Sequence, residues 1–111
     1  MKTIYFDLDG SLLNHNSLIT EQNLTAIKNY MCHGGNVGLA TGRSYLECRQ
    51  YIDQIQPNMP CFLLNGNQLY EKQKVHTYYN FPYQLYMDFY MANQDKCYFI
   101  EEYNNYYFIS H

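Results

Sequence analysis

Three things are scarce in this sequence: long apolar runs, clustered positive charge and closely spaced cysteines. None of the 111 residues lies in a stretch approaching the roughly 18 consecutive apolar residues that cross a bilayer, which argues against a membrane-spanning protein. Seven Lys and Arg stand against ten Asp and Glu, a net charge of −3 with no basic cluster, which argues against a nucleic-acid partner. The opening Met1-Lys2-Thr3-Ile4-Tyr5-Phe6 carries one positive charge, and Asp7 cuts its apolar run short. That is no secretory leader, so the expected location is the cytosol. Cys32, Cys48, Cys61 and Cys97 form no C-x-x-C pair, so neither a zinc site nor a disulfide framework is encoded. They read as buried thiols packing as small hydrophobes. His15, His33 and His76 give no metal-ligand pattern, and His15 reads as a surface-loop histidine.

What is present describes a small globular domain. Hydrophobic residues make up 47% and charged residues 15%. A chain of this length can bury roughly 60–70% of its unfolded surface, and it is too short for two full domains.

The order of elements is legible from periodicity. Thr3 to Leu8 is a short β-prone run expected to be a buried strand. Thr20 is placed as a helix N-cap, Leu24, Ile27 and Met31 recur at helical spacing, and Gly34-Gly35 supplies a stop. Val37 to Ala40 is a second strand running into Thr41-Gly42-Arg43-Ser44, after which Tyr45, Cys48, Ile52 and Ile55 mark a helical face closed by Pro57. Cys61 to Leu64 is a third strand ended by Asn65-Gly66. A β-α-β-α-β order implies a parallel sheet with right-handed crossovers.

The texture then changes. Gln68–Tyr70 and Val75–Tyr79 flank a polar stretch and suggest a hairpin, and Phe81-Pro82 reads as a boundary between units 1–81 and 82–111. Leu85, Phe89 and Ala92 suggest a helix, and Cys97–Glu102 with Tyr106–Ser110 a second hairpin joined through Asn104-Asn105. Ten of the 14 tyrosines lie from Tyr70 onward, in keeping with strand propensity and half-buried packing.

The polar residues of interest stand where the parallel strands end, the edge at which open α/β sheets bind ligands. If the backbone stays extended, Asp7 and Asp9 leave the same face about 6–7 Å apart along the strand. Two like charges so placed favour a cation, and Mg²⁺ suits oxygen ligands while neutralising a phosphate. Gly10 lets the chain turn sharply and frees amides to face an anion. One carboxylate can attack phosphorus and the second can serve as acid and base. Thr41 offers a hydroxyl, and the amides around Gly42, opening a helix, are a natural phosphate site. Taken singly, each has a plainer account: a solvated turn for Asp7 and Asp9, an N-cap for Thr41, a turn for Asn65-Gly66.

Together, Asp7-Leu8-Asp9-Gly10-Ser11-Leu12-Leu13, Ala40-Thr41-Gly42-Arg43 and Leu64-Asn65-Gly66 resemble the haloacid dehalogenase (HAD) superfamily, in its Cof-type, class IIB branch. The resemblance implies a partial Rossmann-like α/β core of three parallel strands, followed by the start of an α+β class II cap. It implies Asp7 as nucleophile and Mg²⁺ ligand, and Asp9 as general acid/base with its main-chain carbonyl on the metal. Gly10, Thr41 and Gly42 would bind the phosphoryl group, and Arg43 and Asn65 would line the substrate side. The implied ligand is a small phosphorylated metabolite; the implied activity is phosphatase, with phosphomutase or a non-catalytic phosphate-binding module as alternatives.

The family pattern continues with a lysine and a Gly-Asp-x-x-Asn-Asp-like motif. Lys72, Lys74 and Lys96, and Glu71, Asp88, Asp95, Glu101 and Glu102, do not supply them. The chain is therefore expected to represent the N-terminal part of such an enzyme. Losing one transition-state charge partner commonly costs ~10²–10³ in rate, so negligible turnover is expected of these residues alone. With the strands beyond it missing, the first strand is expected to be an open apolar edge favouring self-association or a complementary chain.

Overall fold

Alternating side chains in the central strands decide how this fold is built. In a computed structural model that describes residues 2–79, 82–93, 99–103 and 106–110, β1 (Thr3–Phe6) pairs in parallel with β2 (Asn36–Leu39), Ile4 opposite Val37 and Tyr5 opposite Gly38. β3 (Cys61–Leu63) continues the parallel arrangement through a bridge between Ala40 and Phe62, with Thr41 N–H donating to the Phe62 carbonyl at 3.0 Å. One face of this layer is dry. Val37, Leu39, Cys61 and Leu63 are fully buried against the two crossover helices, α1 (Glu21–Cys32) and α2 (Tyr45–Ile55), whose Ile27, Cys48, Ile52 and Ile55 complete the core.

The other face is open. Gly38 and Phe62 point there, and the Tyr5 ring lies over Gly38 with its centroid 5.6 Å from that of Phe62. A side chain at position 38 would run into the Tyr5 ring and the Pro60 carbonyl oxygen, so only glycine allows this stacking. The expectation of a buried first strand is thereby corrected. Ile4 and Tyr5 are 37% and 39% exposed, because among the described residues no strand flanks β1 on its outer edge.

The helices start and stop for local reasons. Thr20 Oγ1 accepts the Asn23 amide at 3.2 Å and caps α1, as the sequence suggests. α2 is capped by Ser44, not by Thr41: Ser44 Oγ accepts the Glu47 amide, and Glu47 Oε1 accepts the Ser44 amide, a reciprocal pair that satisfies two otherwise orphaned donors. Gly42 therefore precedes the cap and does not itself open the helix.

After β3 the chain reverses. β4 (Gln68–Glu71) pairs antiparallel with β3 and with β5 (Lys74–Thr77), extending the third strand into a three-stranded meander. The buried Gln68 ties it to α2, its Oε1 accepting the Tyr45 amide at 2.9 Å and its Nε2 donating to Thr77 Oγ1 at 3.2 Å.

Residues Met1–Tyr78 form one compact unit and Tyr79–His111 a second. Within the second, α3 spans Tyr83–Ala92, and β6 (Phe99–Tyr103) pairs antiparallel with β7 (Tyr106–Ser110), Ile100 opposite Ile109. Phe81, Cys97 and the Asn104-Asn105 joint lie outside the described residues.

The cysteines divide by position. Cys48 and Cys61 are buried, but Cys32 is exposed at the last turn of α1, contrary to the sequence expectation for all four. Burial pushes the Cys61 thiol above its ordinary pKa. Iodoacetamide at pH 8 is expected to alkylate Cys32 at least tenfold faster than Cys48 or Cys61 in the folded chain, since thiolate and access both control the rate. Peptide mapping after timed labelling checks this, and urea should abolish the difference.

Candidate active site

The C-terminal ends of the three parallel strands converge on one depression. It has a volume of about 460 Å³ and is lined by Asp7, Ala40, Thr41, Gly42, Phe62, Asn65 and Gly66. Each strand contributes through the turn that follows it.

After β1 the chain does not stay extended. Asp7 keeps an extended backbone, but the segment Leu8–Leu12 then coils, with Leu13 N–H donating to the Leu8 carbonyl at 2.9 Å. The cause is Leu8, which is fully buried and, with the buried Leu12 and Leu13, anchors the turn in the core. Gly10 supplies the left-handed residue that the turn needs, with φ +75° and no atom within 4 Å of where a side chain would begin. Asp7 and Asp9 consequently part. Asp7 faces the depression, its Oδ1 accepting the Leu8 amide at 2.8 Å. Its other oxygen has no protein partner among the described residues.

Asp9 turns elsewhere. Its two carboxylate oxygens accept Arg43 Nε and Nη2, each at 2.7 Å, in a bidentate pair. The resemblance puts Arg43 beside a substrate, whereas here it pairs with a carboxylate 34 residues away, a contact that no local pattern signals. The guanidinium holds the Asp9 carboxyl below the usual carboxylate range, so the pair persists at neutral pH and weakens as pH falls through that lowered value. Asp9 is 60% exposed and Arg43 23%, so the pair adds little to stability, on the order of 0–1 kcal/mol.

The second and third turns are tied together by backbone hydrogen bonds. Asn65 N–H donates to the Thr41 carbonyl at 3.1 Å, and Leu64 N–H to the Arg43 carbonyl at 3.0 Å. These bonds set the Asn65 amide against Gly42, 3.2 Å from the place a Cβ would occupy. Leu64 and Asn65 both take positive φ, 49° and 52°, to achieve this. For leucine that conformation costs roughly 1–2 kcal/mol, and such strain concentrates where geometry serves a site. The buried Thr41 hydroxyl accepts the Arg43 amide at 3.1 Å, which fixes its oxygen in the turn.

One supporting residue escaped sequence reasoning. Tyr51 is almost fully buried, its hydroxyl donating to the Ser17 carbonyl at 2.6 Å and its ring lying 5.5 Å from Arg43 Cζ. In sequence it reads only as a neighbour of the Ile52 stripe. A larger concavity of about 670 Å³ lies between the end of α2 and the β4–β5 turn, lined by Gln56–Pro60 and Tyr70–Gln73. It lies away from the strand C-termini and gathers no residue of the three motifs.

The donors suit a hard cation in type. Among the described residues no cluster of three His, Cys, Asp or Glu could hold a metal. The Asp7 carboxylate and the Asp9 main-chain carbonyl are oxygen donors, and Mg²⁺ is commonly bound by one or two carboxylates, keeping several waters and taking phosphate oxygens. No helix among the described residues is long and apolar enough to cross a membrane.

Comparison with known proteins gives the chain's family and fold. The haloacid dehalogenase-like hydrolase family model matches residues 4–111. A putative phosphatase of Mycoplasma genitalium is 37% identical over 71 residues, covering 64% of this chain and 26% of that protein. The 5-amino-6-(5-phospho-D-ribitylamino)uracil phosphatase YcsE of Bacillus subtilis is 31% identical over 71 residues, covering 64% and 28%. The chain thus spans about a quarter of the length of these curated relatives. The crystal structure of a haloacid dehalogenase-like hydrolase from Bacteroides thetaiotaomicron superposes with a TM-score of 0.71 at 21% identity, covering 82% of this chain and 36% of that one. With the family model matched over nearly its whole length, the chain belongs to the Cof-type haloacid dehalogenase-like hydrolases.

Proposed function

We propose that this chain carries the phosphoryl-binding part of a Mg²⁺-dependent phosphatase that acts on a small phosphorylated metabolite through an aspartyl-phosphate on Asp7. The observation that carries the reading is the meeting of Asp7, Thr41, Gly42 and Asn65 around one depression. Asp7 lines it, with one carboxylate oxygen free of protein donors among the described residues, which supports its role as the nucleophile toward phosphorus. The Thr41 hydroxyl and the Gly42 amide present donors to a phosphoryl oxygen, the neighbouring Thr41, Arg43 and Ser44 amides being spent on Phe62, Thr41 and Glu47. Asp9, freed from Arg43, is the acid/base. The Asp7 carboxylate and Asp9 carbonyl would hold Mg²⁺, which supplies charge neutralisation for the phosphate. Phosphatase relatives named for a phosphorylated ribitylamino-uracil point to a sugar- or polyol-phosphate moiety.

Beryllofluoride, which mimics the aspartyl-phosphate, tests the site without a known substrate. With Mg²⁺ it is expected to shift the amide resonances of Gly10 and Gly42 and leave those of Gly34 and Gly35 in place. No shift at any glycine would count against the reading. The engagement of Asp9 by Arg43 favours a second reading, a phosphate-binding module without turnover, and product release in a phosphatase assay separates the two.

We also propose that the outer edge of β1 associates with another strand. Among the described residues no strand pairs with this edge beside Ile4 and Tyr5, and no charge between Lys2 and Asp7 blunts it. Sedimentation at tens of micromolar is expected to show oligomers, and Ile4→Lys to shift them toward monomer.

A further inference from the structure

The Arg43–Asp9 pair does more than bridge two turns. Neither residue lines the depression that Asp7 shares with Thr41, Gly42 and Asn65, so the carboxylate with the acid/base role stands outside the place where it is needed. Arg43 is the fixed member. Its Nη1 donates to the Glu47 carbonyl at 3.3 Å, its Cζ stands over the Tyr51 ring 5.5 Å from the centroid, and Tyr51 is itself pinned to Ser17. Asp9 is the loose member, 60% exposed on a turn that carries Gly10. A rigid, forked cation holding an exposed carboxylate of its own chain is arranged as an anion receptor whose occupant can be exchanged, since an exposed pair contributes little and costs little to break.

We propose that Arg43 is a positioning residue: it holds Asp9 out of the depression in the unliganded chain, and releases it when a second anionic group of a phosphorylated ligand, a carboxylate or another phosphate, takes over the guanidinium. Asp9 is thus an internal placeholder for that group, and ligands with two anionic groups are favoured over those with one. This rests on the phosphatase reading and adds to it a preference in ligand charge.

The chain has only two arginines, Arg43 and Arg49, so a sample carrying ¹⁵Nε-arginine and ¹⁵N-glycine reports the latch and the phosphate turn together. Without ligand, Arg43 Nε–H is expected as a slowly exchanging signal, distinct from that of the exposed Arg49, and Asp9→Asn should abolish the distinction. With Mg²⁺, phosphoglycolate is expected to shift both the Gly42 amide and Arg43 Nε–H, whereas glycerol 3-phosphate shifts Gly42 alone. Arg43→Lys, which keeps the charge and loses the fork, should reduce the preference for phosphoglycolate about tenfold. If Gly42 responds to both probes while Arg43 stays put, or if both probes move Arg43 equally, the hand-over is wrong and the phosphatase reading stands. If neither probe moves Gly42, both fail. Titration of the unmodified chain needs no variant to fold.

Discussion

Replacing Leu63 with alanine is expected to cost ~2–5 kcal/mol, whereas the same change at its neighbour Phe62 is expected to cost about 1 kcal/mol. The two residues are adjacent in β3 and point to opposite faces. Leu63 is fully buried in the layer that joins Val37, Leu39 and Cys61 to the crossover helices. Its removal leaves a cavity walled by β-branched and helical side chains that cannot close without moving a strand. Phe62 is 44% exposed on the open face, where its main partner is the Tyr5 ring. A small domain has on the order of 5–15 kcal/mol in total. The Leu63 variant should therefore lose most of its folded population in mild urea, and the Phe62 variant should melt near the parent. Paired urea titrations followed by circular dichroism give the comparison. Equal losses would mean that the face bearing Tyr5 and Phe62 is covered in solution, a result that would also identify it as an interface.

The same one-sidedness shows what the sequence can and cannot carry. Strand and helix positions were legible because the core needs a two-residue period in Val37–Leu39 and a three-to-four-residue period in Cys48–Ile52–Ile55, and those periods survive in the bare string of letters. The three turns were legible because Gly10 and Asn65-Gly66 are residue types suited to left-handed backbone angles, and Gly42 leaves room for the Asn65 side chain. Burial of β1 was not legible. Ile4 and Tyr5 are the residues of a buried strand, and whether anything covers them depends on neighbours that the local pattern does not contain. Nor was the parting of Asp7 from Asp9. Their spacing suggests one face, but Leu8 is pulled into the core and coils the backbone between them. The Ser44–Glu47 cap is a case where the signal was present, since S-x-x-E precedes an apolar run. The partner of Arg43 had no local signal at all, being set by where two turns meet.

Asp7→Asn is expected to abolish Mg²⁺-dependent beryllofluoride capture, a loss of at least 100-fold in apparent affinity, while leaving the urea midpoint unchanged. The argument rests on what asparagine keeps and what it lacks. In the parent, Asp7 Oδ1 accepts the Leu8 amide and so closes the turn that carries Gly10. The amide oxygen of asparagine can accept the same bond, so the turn, the burial of Leu8 and the path of the chain are preserved. Missing are the negative charge that draws a cation and the lone pair that bonds to beryllium or phosphorus. An amide nitrogen in that place donates instead and repels the metal. Asp7→Ala makes a useful contrast, for it removes the acceptor as well and should cost about 1 kcal/mol in addition to losing capture. Thr41→Val tests the other wall of the depression. The hydroxyl is buried and accepts the Arg43 amide, so its loss should weaken capture and loosen the turn together. Capture that survives Asp7→Asn undiminished would remove Asp7 from the nucleophile's place, and with it the aspartyl-phosphate. If capture is lost only in Asp7→Asn and Asp7→Ala, and is merely reduced in Thr41→Val, the division between nucleophile and phosphate wall stands as the strand ends arrange it.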